Sequence, residues 1–183
     1  RAVSSSHPWW RHAVVYQVYL RSFADGDGDG TGDIAGLRSR LSYIRSLGVD
    51  AIWINPWYVS PLNDGGYDVA DYRDVDPVFG TLEDADRLIA AAHERGIRVV
   101  LDFVPNHMAA SAENWRWDDL LTHGPSSRYV RWFDIDWRNP DPELRGRVLL
   151  PVLGDSRHKT LERGELHLKA YPEGIRLTYY DHS

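Results

Sequence analysis

Three short apolar runs, residues 13–19 (AVVYQVY), 49–55 (VDAIWIN) and 97–104 (IRVVLDFV), are separated by segments whose apolar residues recur every third or fourth position. That alternation limits the possible folds more than any other feature of the chain. Unbroken β-branched and aromatic runs suit strands covered on both faces. Between the first two runs, Ile34, Leu37, Leu41, Ile44 and Leu47 form one helical stripe that starts at Asp33 and stops at Gly48. Between the second and third, Thr81 offers an N-cap with Asp84 three residues on. Leu82, Ala85, Leu88, Ile89 and Ala92 then supply an apolar face, and Gly96 ends it. Strands alternating with helices predict βαβ units, a parallel sheet and right-handed crossovers. A doubly wound sheet and a barrel both satisfy this pattern.

After His107 the pattern changes. Residues 109–142 hold Trp115, Trp117, Trp132 and Trp137 among Asp, Asn, Ser and Gly, which predicts short helices and loops. Residues 148–153 alternate apolar and polar positions, as do 165–170 and 175–180, which are joined by YPEG and predict an antiparallel hairpin. The chain is expected to divide into a barrel-like part, residues 1–107, and an irregular part, residues 108–183. Its 183 residues suffice for the core of one domain, whereas a complete (β/α)8 barrel takes about 250.

Composition narrows the function. A net charge of −6 without any long block of like charge argues against nucleic acid as a partner. The absence of cysteine excludes disulfides, thiolate metal sites and cysteine nucleophiles. Residues 1–7 lack the apolar core of a signal peptide, and no run approaches the ~20 apolar residues of a membrane span. A soluble, cytoplasmic protein with no membrane partner is the expectation. The 8 Trp and 10 Tyr provide ring faces either for filling a core or for stacking on sugars.

Asp25, Asp27, Asp29 and Asp33 sit in the string DGDGDGTGD, where alternating glycines let the backbone curl and the carboxylates converge. Hard oxygen donors at two-residue spacing are the chemistry of Ca²⁺, and the opening matches a D-x-D-x-D-G loop. The closing glutamate of such a loop is missing, and Asp33 comes too early to replace it. An ion here would tie the first strand to the first helix. A solvated acidic turn is the alternative for the same residues.

Residues 9–23 (WWRHAVVYQVYLRSF), the acidic loop, residues 66–72 (GYDVADY) and residues 102–107 (DFVPNH) resemble, in order, motifs of the α-amylase superfamily of glycoside hydrolases. Over residues 9–107 the resemblance is to the α-glucosidase and trehalose synthase branch. It implies a (β/α)8 barrel of which this chain would carry the first three strands, α-linked glucose substrates and a retaining mechanism. It further implies that Asp25, Asp27, Asp29 and Asp33, with the backbone carbonyl of Thr31, hold a structural Ca²⁺. Tyr67 would stack on the glucose at the cleavage point, Asp68 would hydrogen-bond its hydroxyls, and His107 would contact the same sugar. Asp102 and Asn106 would mainly hold the strand end in shape. Residues 104–183, with WDDLLTHGPSSRY, WFDIDW and ERGELHL, resemble instead maltooligosyl trehalose synthase, a sibling with an insertion after the third strand. On that resemblance, residues 108–183 begin an inserted subdomain between the third strand and third helix. The chain would then be a mosaic with a seam close to Asn106.

Retaining hydrolysis needs a carboxylate nucleophile and a second carboxylic acid about 5–5.5 Å away. The family nucleophile lies in G-x-R-x-D, and the nearest string, GIRLT, carries Thr178 at the aspartate position. For the family's His-Asp pair the chain offers only Asp181 and His182, in reversed order, and no later strand brings the general-acid glutamate. Asp68 and Asp102 already have other duties. The expectation is the N-terminal portion of an α-glucan-active hydrolase or transglycosylase that contacts an α-linked gluco-oligosaccharide and is inactive by itself. The alternatives are a non-catalytic, calcium-dependent carbohydrate-binding protein, and a truncated or fused reading frame without its own function. So small a parallel sheet should also leave open edges and apolar faces.

Overall fold

The computed structural model describes residues 7–172 and 174–180, so Asp181 and His182 lie outside the described residues. Two compact units meet at Trp132/Phe133 in the chain. In the first, β1 (Val15–Val18), α1 (Leu20–Phe23), α2 (Ile34–Ser39), α3 (Leu41–Ser46), β2 (Ala51–Ile54) and β3 (Tyr58–Val59) are followed by β4 (Asp71–Val75), α4 (Leu82–Glu94), β5 (Arg98–Leu101) and α5 (Trp115–His123). The second contains α6 (Arg157–Glu162), β6 (Leu166–Tyr171) and β7 (Gly174–Tyr179).

The three expected strands pair in parallel in the order β1-β2-β5, with Val15, Ala51 and Arg98 in register at one end and Val18, Ile54 and Leu101 at the other. Alternate side chains point to opposite faces. Val18, Ile52 and Ile54 join Ile34, Leu37 and Leu41 of the helices, with Leu88 and Ala92 of α4, in one buried cluster. Their neighbours Val15, Trp53 and Val100 point the other way and are 47%, 37% and 39% exposed. The apolar runs therefore read as strands covered twice, but among the described residues only one face is covered.

The first helical stripe is divided in two at Arg40. The Ser39 hydroxyl donates to the Gly36 carbonyl at 2.7 Å, and the Arg40 N–H turns to Leu37 at 3.0 Å instead of continuing the α-helical ladder. α4 forms as expected, with Thr81 and Asp84 making a reciprocal capping box. In the stretch after β2, β3 and β4 pair antiparallel through an irregular register. A two-residue strand is too short to show a period, which hid it from the sequence.

In the second unit the expected hairpin is present, with Leu166 opposite Tyr179 and Tyr171 opposite Gly174. Residues 148–153, read as alternating, form no strand. Pro151 within them has no N–H to give to a ladder. The compact division also falls beyond residue 107, because α5 is fastened to the first unit. Its Arg116 is buried to 1% exposure, donates to Asp71 Oδ1 at 3.2 Å, and lies 4.1 Å from the Trp115 ring and 5.0 Å from that of Trp132. No helix among the described residues is long and apolar enough to cross a membrane.

Candidate functional site

Asn55 and Asp102 directly follow β2 and β5, and the Asp102 N–H donates to the Ile54 carbonyl at 2.9 Å. Both thus stand at the C-terminal edge of the sheet, where parallel α/β folds place their chemistry. Tyr67 arrives there from the loop between β3 and β4. Gly66 before it has φ +99°, and a Cβ on it would come within 2.8 Å of the Pro56 carbonyl. Only glycine permits both the conformation and the close approach. The Tyr67 hydroxyl donates to Asp102 Oδ2 and accepts from Asn55 Nδ2, each at 2.9 Å. Asn55 Oδ1 in turn accepts from Gln17 Nε2 of β1 at 3.1 Å. Burial, and then the bond to Asp102, push the Tyr67 phenol above its ordinary pKa of 10.0. Near neutral pH it is therefore a neutral hydroxyl with its proton directed at a carboxylate.

Asp68 is half-buried and uses its carboxylate on its own loop: Oδ1 accepts from Ser60 Oγ at 2.8 Å and Oδ2 from the Asn63 N–H at 3.0 Å. The imidazole of His107 is exposed, with Nδ1 3.2 Å from Asn106 Nδ2. Its backbone is held by Tyr72, whose hydroxyl bridges the carbonyls of Val104 and His107. The next turn of chain is fixed by the Ala109 N–H, which donates to the Val69 carbonyl at 2.8 Å. The segments bearing Asp68 and His107 consequently run side by side. Tyr72 packs edge-on against Tyr58 at 5.3 Å and Phe103 at 5.1 Å in one aromatic cluster.

Of the residues singled out from the sequence, the structure joins Tyr67 directly to Asp102 and places Asp68 and His107 on adjoining segments. Gln17, Asn55 and Tyr72 were not foreseen. A signal existed for the first two: Gln17 is the one polar residue in AVVYQVY, and Asn55 is the polar residue that closes the second run before Pro56.

The acidic loop is organised from within. Asp25 accepts from the N–H groups of Gly28 at 2.6 Å and Gly30 at 2.9 Å, Asp27 from Asp29 at 3.1 Å, and Asp29 from Thr31 at 2.7 Å. The bonds from Gly28 and Gly30 hold the Asp25 carboxyl below its ordinary pKa. Asp25, Asp27 and Asp29 each offer an oxygen within 4.8 Å of the others. Two oxygens bound to one Ca²⁺ at about 2.3–2.6 Å lie no more than about 5.2 Å apart, so this trio fits such an ion. Asp33 stands elsewhere, as the N-cap of α2: it accepts from Gly36 at 2.6 Å and from Gly26 at 3.0 Å. The loop closes on α2 so tightly that a Cβ at Gly36 would lie 1.9 Å from the Ala24 carbonyl.

A parallel sheet backed by helices, with a phenol, amides and a carboxylate gathered at its C-terminal edge, defines the broad class of α/β proteins that work at strand ends. The family follows from the sequence itself. Residues 17–157 match the α-amylase catalytic domain, and the chain belongs to the α-amylase family. It is 56% identical to Maltase 1 of Drosophila virilis over 126 residues, 69% of this chain and 20% of that protein. With the trehalose-6-phosphate hydrolase of Escherichia coli K12 the identity is 41% over 174 residues, 93% of this chain and 30% of that one. The solved trehalose-6-phosphate hydrolase of Bacillus licheniformis superposes with a TM-score of 0.65 at 44% identity, covering 70% of this chain and 22% of its own. The chain thus spans a fifth to under a third of the length of these relatives. A match covering 93% of the chain crosses Asn106, so one relative accounts for sequence on both sides of the expected seam.

Proposed function

We propose that this chain supplies one wall of the glucose site of an α-glucan-active hydrolase or transglycosylase, and that by itself it does not cleave. The observation that carries this reading is the Tyr67–Asp102 hydrogen bond at the C-terminal edge of the parallel sheet. A flat ring fixed at its polar end, with carboxylate and imidazole groups on adjoining segments, is what orienting a hexose requires. On this reading β1, β2 and β5 are the first three strands of a (β/α)8 barrel, and the open face bearing Trp53 is the barrel interior. Residues 108–183 begin a subdomain inserted after the third strand. Asp68 and His107 contact the sugar, Asn106 steadies His107, and Asp25, Asp27 and Asp29 hold a structural Ca²⁺ between β1 and α2. The setting is cytoplasmic.

The names of the relatives, a maltase and trehalose-6-phosphate hydrolases, support α-glucosides as the substrate class. The missing G-x-R-x-D string supports inactivity of the 183-residue chain. Incubation with maltose and maltotriose should release no glucose or trehalose, while titration with maltotriose should change tryptophan fluorescence saturably. Robust turnover would overturn the assignment of inactivity, and a flat titration would overturn the sugar wall.

A further inference from the structure

Gln17, Asn55, Tyr67 and Asp102 come from β1, the end of β2, the β3–β4 loop and the end of β5, and they are joined by three consecutive hydrogen bonds. The direction of the whole series follows from its last member. An ionised carboxylate can only accept, so Tyr67 must donate to Asp102. A phenol has one proton, so its oxygen must accept from the other side, which obliges Asn55 to present its NH₂ group. The Asn55 oxygen then faces Gln17, which must donate. Asn55 is buried, so the two bonds it makes also satisfy a group that water does not reach freely.

We propose that Gln17 and Asn55 are positioning residues for Tyr67: they occupy the hydroxyl from the side opposite Asp102 and so fix the plane of the ring. This rests on the reading of Tyr67 as the surface on which glucose stacks. With Asn55 donating to it on one side and its own proton given to Asp102 on the other, the hydroxyl is held from both sides, and Tyr67 offers the sugar chiefly its ring. Gln17 acts on Tyr67 through Asn55, to which it donates. It acts because an amide is symmetric in shape but not in polarity: the Gln17 donor satisfies the Asn55 oxygen, so the orientation that Tyr67 demands of Asn55 is held from both ends.

The test is a double-mutant cycle on the full chain with Gln17→Met, which keeps the length of the side chain and removes its donor, and Tyr67→Phe, which removes the hydroxyl alone. Gln17 lies on the exposed face of β1, so its replacement leaves the core intact. Maltose binding should weaken roughly five- to tenfold in Gln17→Met, the equivalent of about one net hydrogen bond. In the Tyr67→Phe background the same change should have no further effect. Equal losses in both backgrounds would overturn the relay, because they would mean that residue 17 acts without the hydroxyl. If the parent chain binds no maltose, it is the sugar-wall reading that fails. The relay is then decided by the ζ-carbon resonance of Tyr67 in tyrosine-labelled protein: movement in Gln17→Met supports it, and an unmoved resonance refutes it.

Discussion

The acidic loop and the strand-end cluster both hold carboxylates by hydrogen bonds, three in the one and one in the other, yet they are built in opposite ways. In the loop, Asp25, Asp27 and Asp29 each accept from a backbone N–H two to five residues ahead, and the donors belong to the loop itself. In the cluster, partners 12 to 38 residues apart in sequence are brought together by parallel pairing of β1, β2 and β5. The first arrangement can form wherever the backbone curls. The second exists only once the sheet is in register. Disturbing the loop should accordingly change stability and ion response, whereas disturbing the cluster should change what happens at the sheet edge.

The largest effect belongs to the point where the loop touches the core. Gly36→Val places a side chain where a Cβ alone would lie 1.9 Å from the Ala24 carbonyl, backbone that cannot step aside. Overpacking of this kind costs about 3 kcal/mol or more, so urea unfolding should show a large fall in midpoint. An unchanged midpoint would mean that the loop is not held against α2. Next comes the ion. Saturating Ca²⁺ should raise Tm by roughly 5–10 °C at a hundredfold excess over Kd, and Asp27→Asn should blunt that rise. A melt indifferent to both chelator and calcium would leave the loop a hydrogen-bonded turn and nothing more.

Smaller again is Tyr67→Phe, which leaves the Asn55 donor and the Asp102 acceptor without their shared partner. Its cost should be about 1–2 kcal/mol, with an unaltered denaturant slope. A cost near zero would show that water replaces the hydroxyl freely, and the cluster would then be no more rigid than the loop.

The same contrast explains what could be read in advance. The DGDGDGTGD string and the Thr81–Asp84 capping box are local, and both formed where the sequence placed them. The three strands were legible because an apolar run announces a buried strand whatever it pairs with. For Asp33 the sequence shows only that a carboxylate is near. It does not show that the side chain serves as the N-cap of α2, with one oxygen taken by the Gly36 N–H of the helix and the other by the Gly26 N–H of the loop. Gln17 and Asn55 went unnoticed because a single amide in an apolar strand has no periodic signal, and its meaning depends on a neighbour 38 residues away. Tyr72 was hidden for the same reason, since the carbonyls it holds, those of Val104 and His107, lie in another segment.

The smallest effect probes the loop without its ion. Backbone donors, chiefly Gly28 and Gly30, hold the Asp25 carboxyl below its ordinary value of 3.8. A folded-state pKa lower than the unfolded one means stability that is present above about pH 4 and lost as pH falls through the depressed value. Asp25→Asn keeps an oxygen acceptor but removes the charge, so in chelator it should lower the urea midpoint slightly at pH 7. The gap to the parent should close below pH 4, as the parent's own carboxyl is protonated. The opposite sign, stabilisation by Asp25→Asn at pH 7, would mean that repulsion from Asp27 and Asp29 outweighs the backbone bonds. The loop would then be a strained arrangement waiting for a cation rather than a turn that stands on its own.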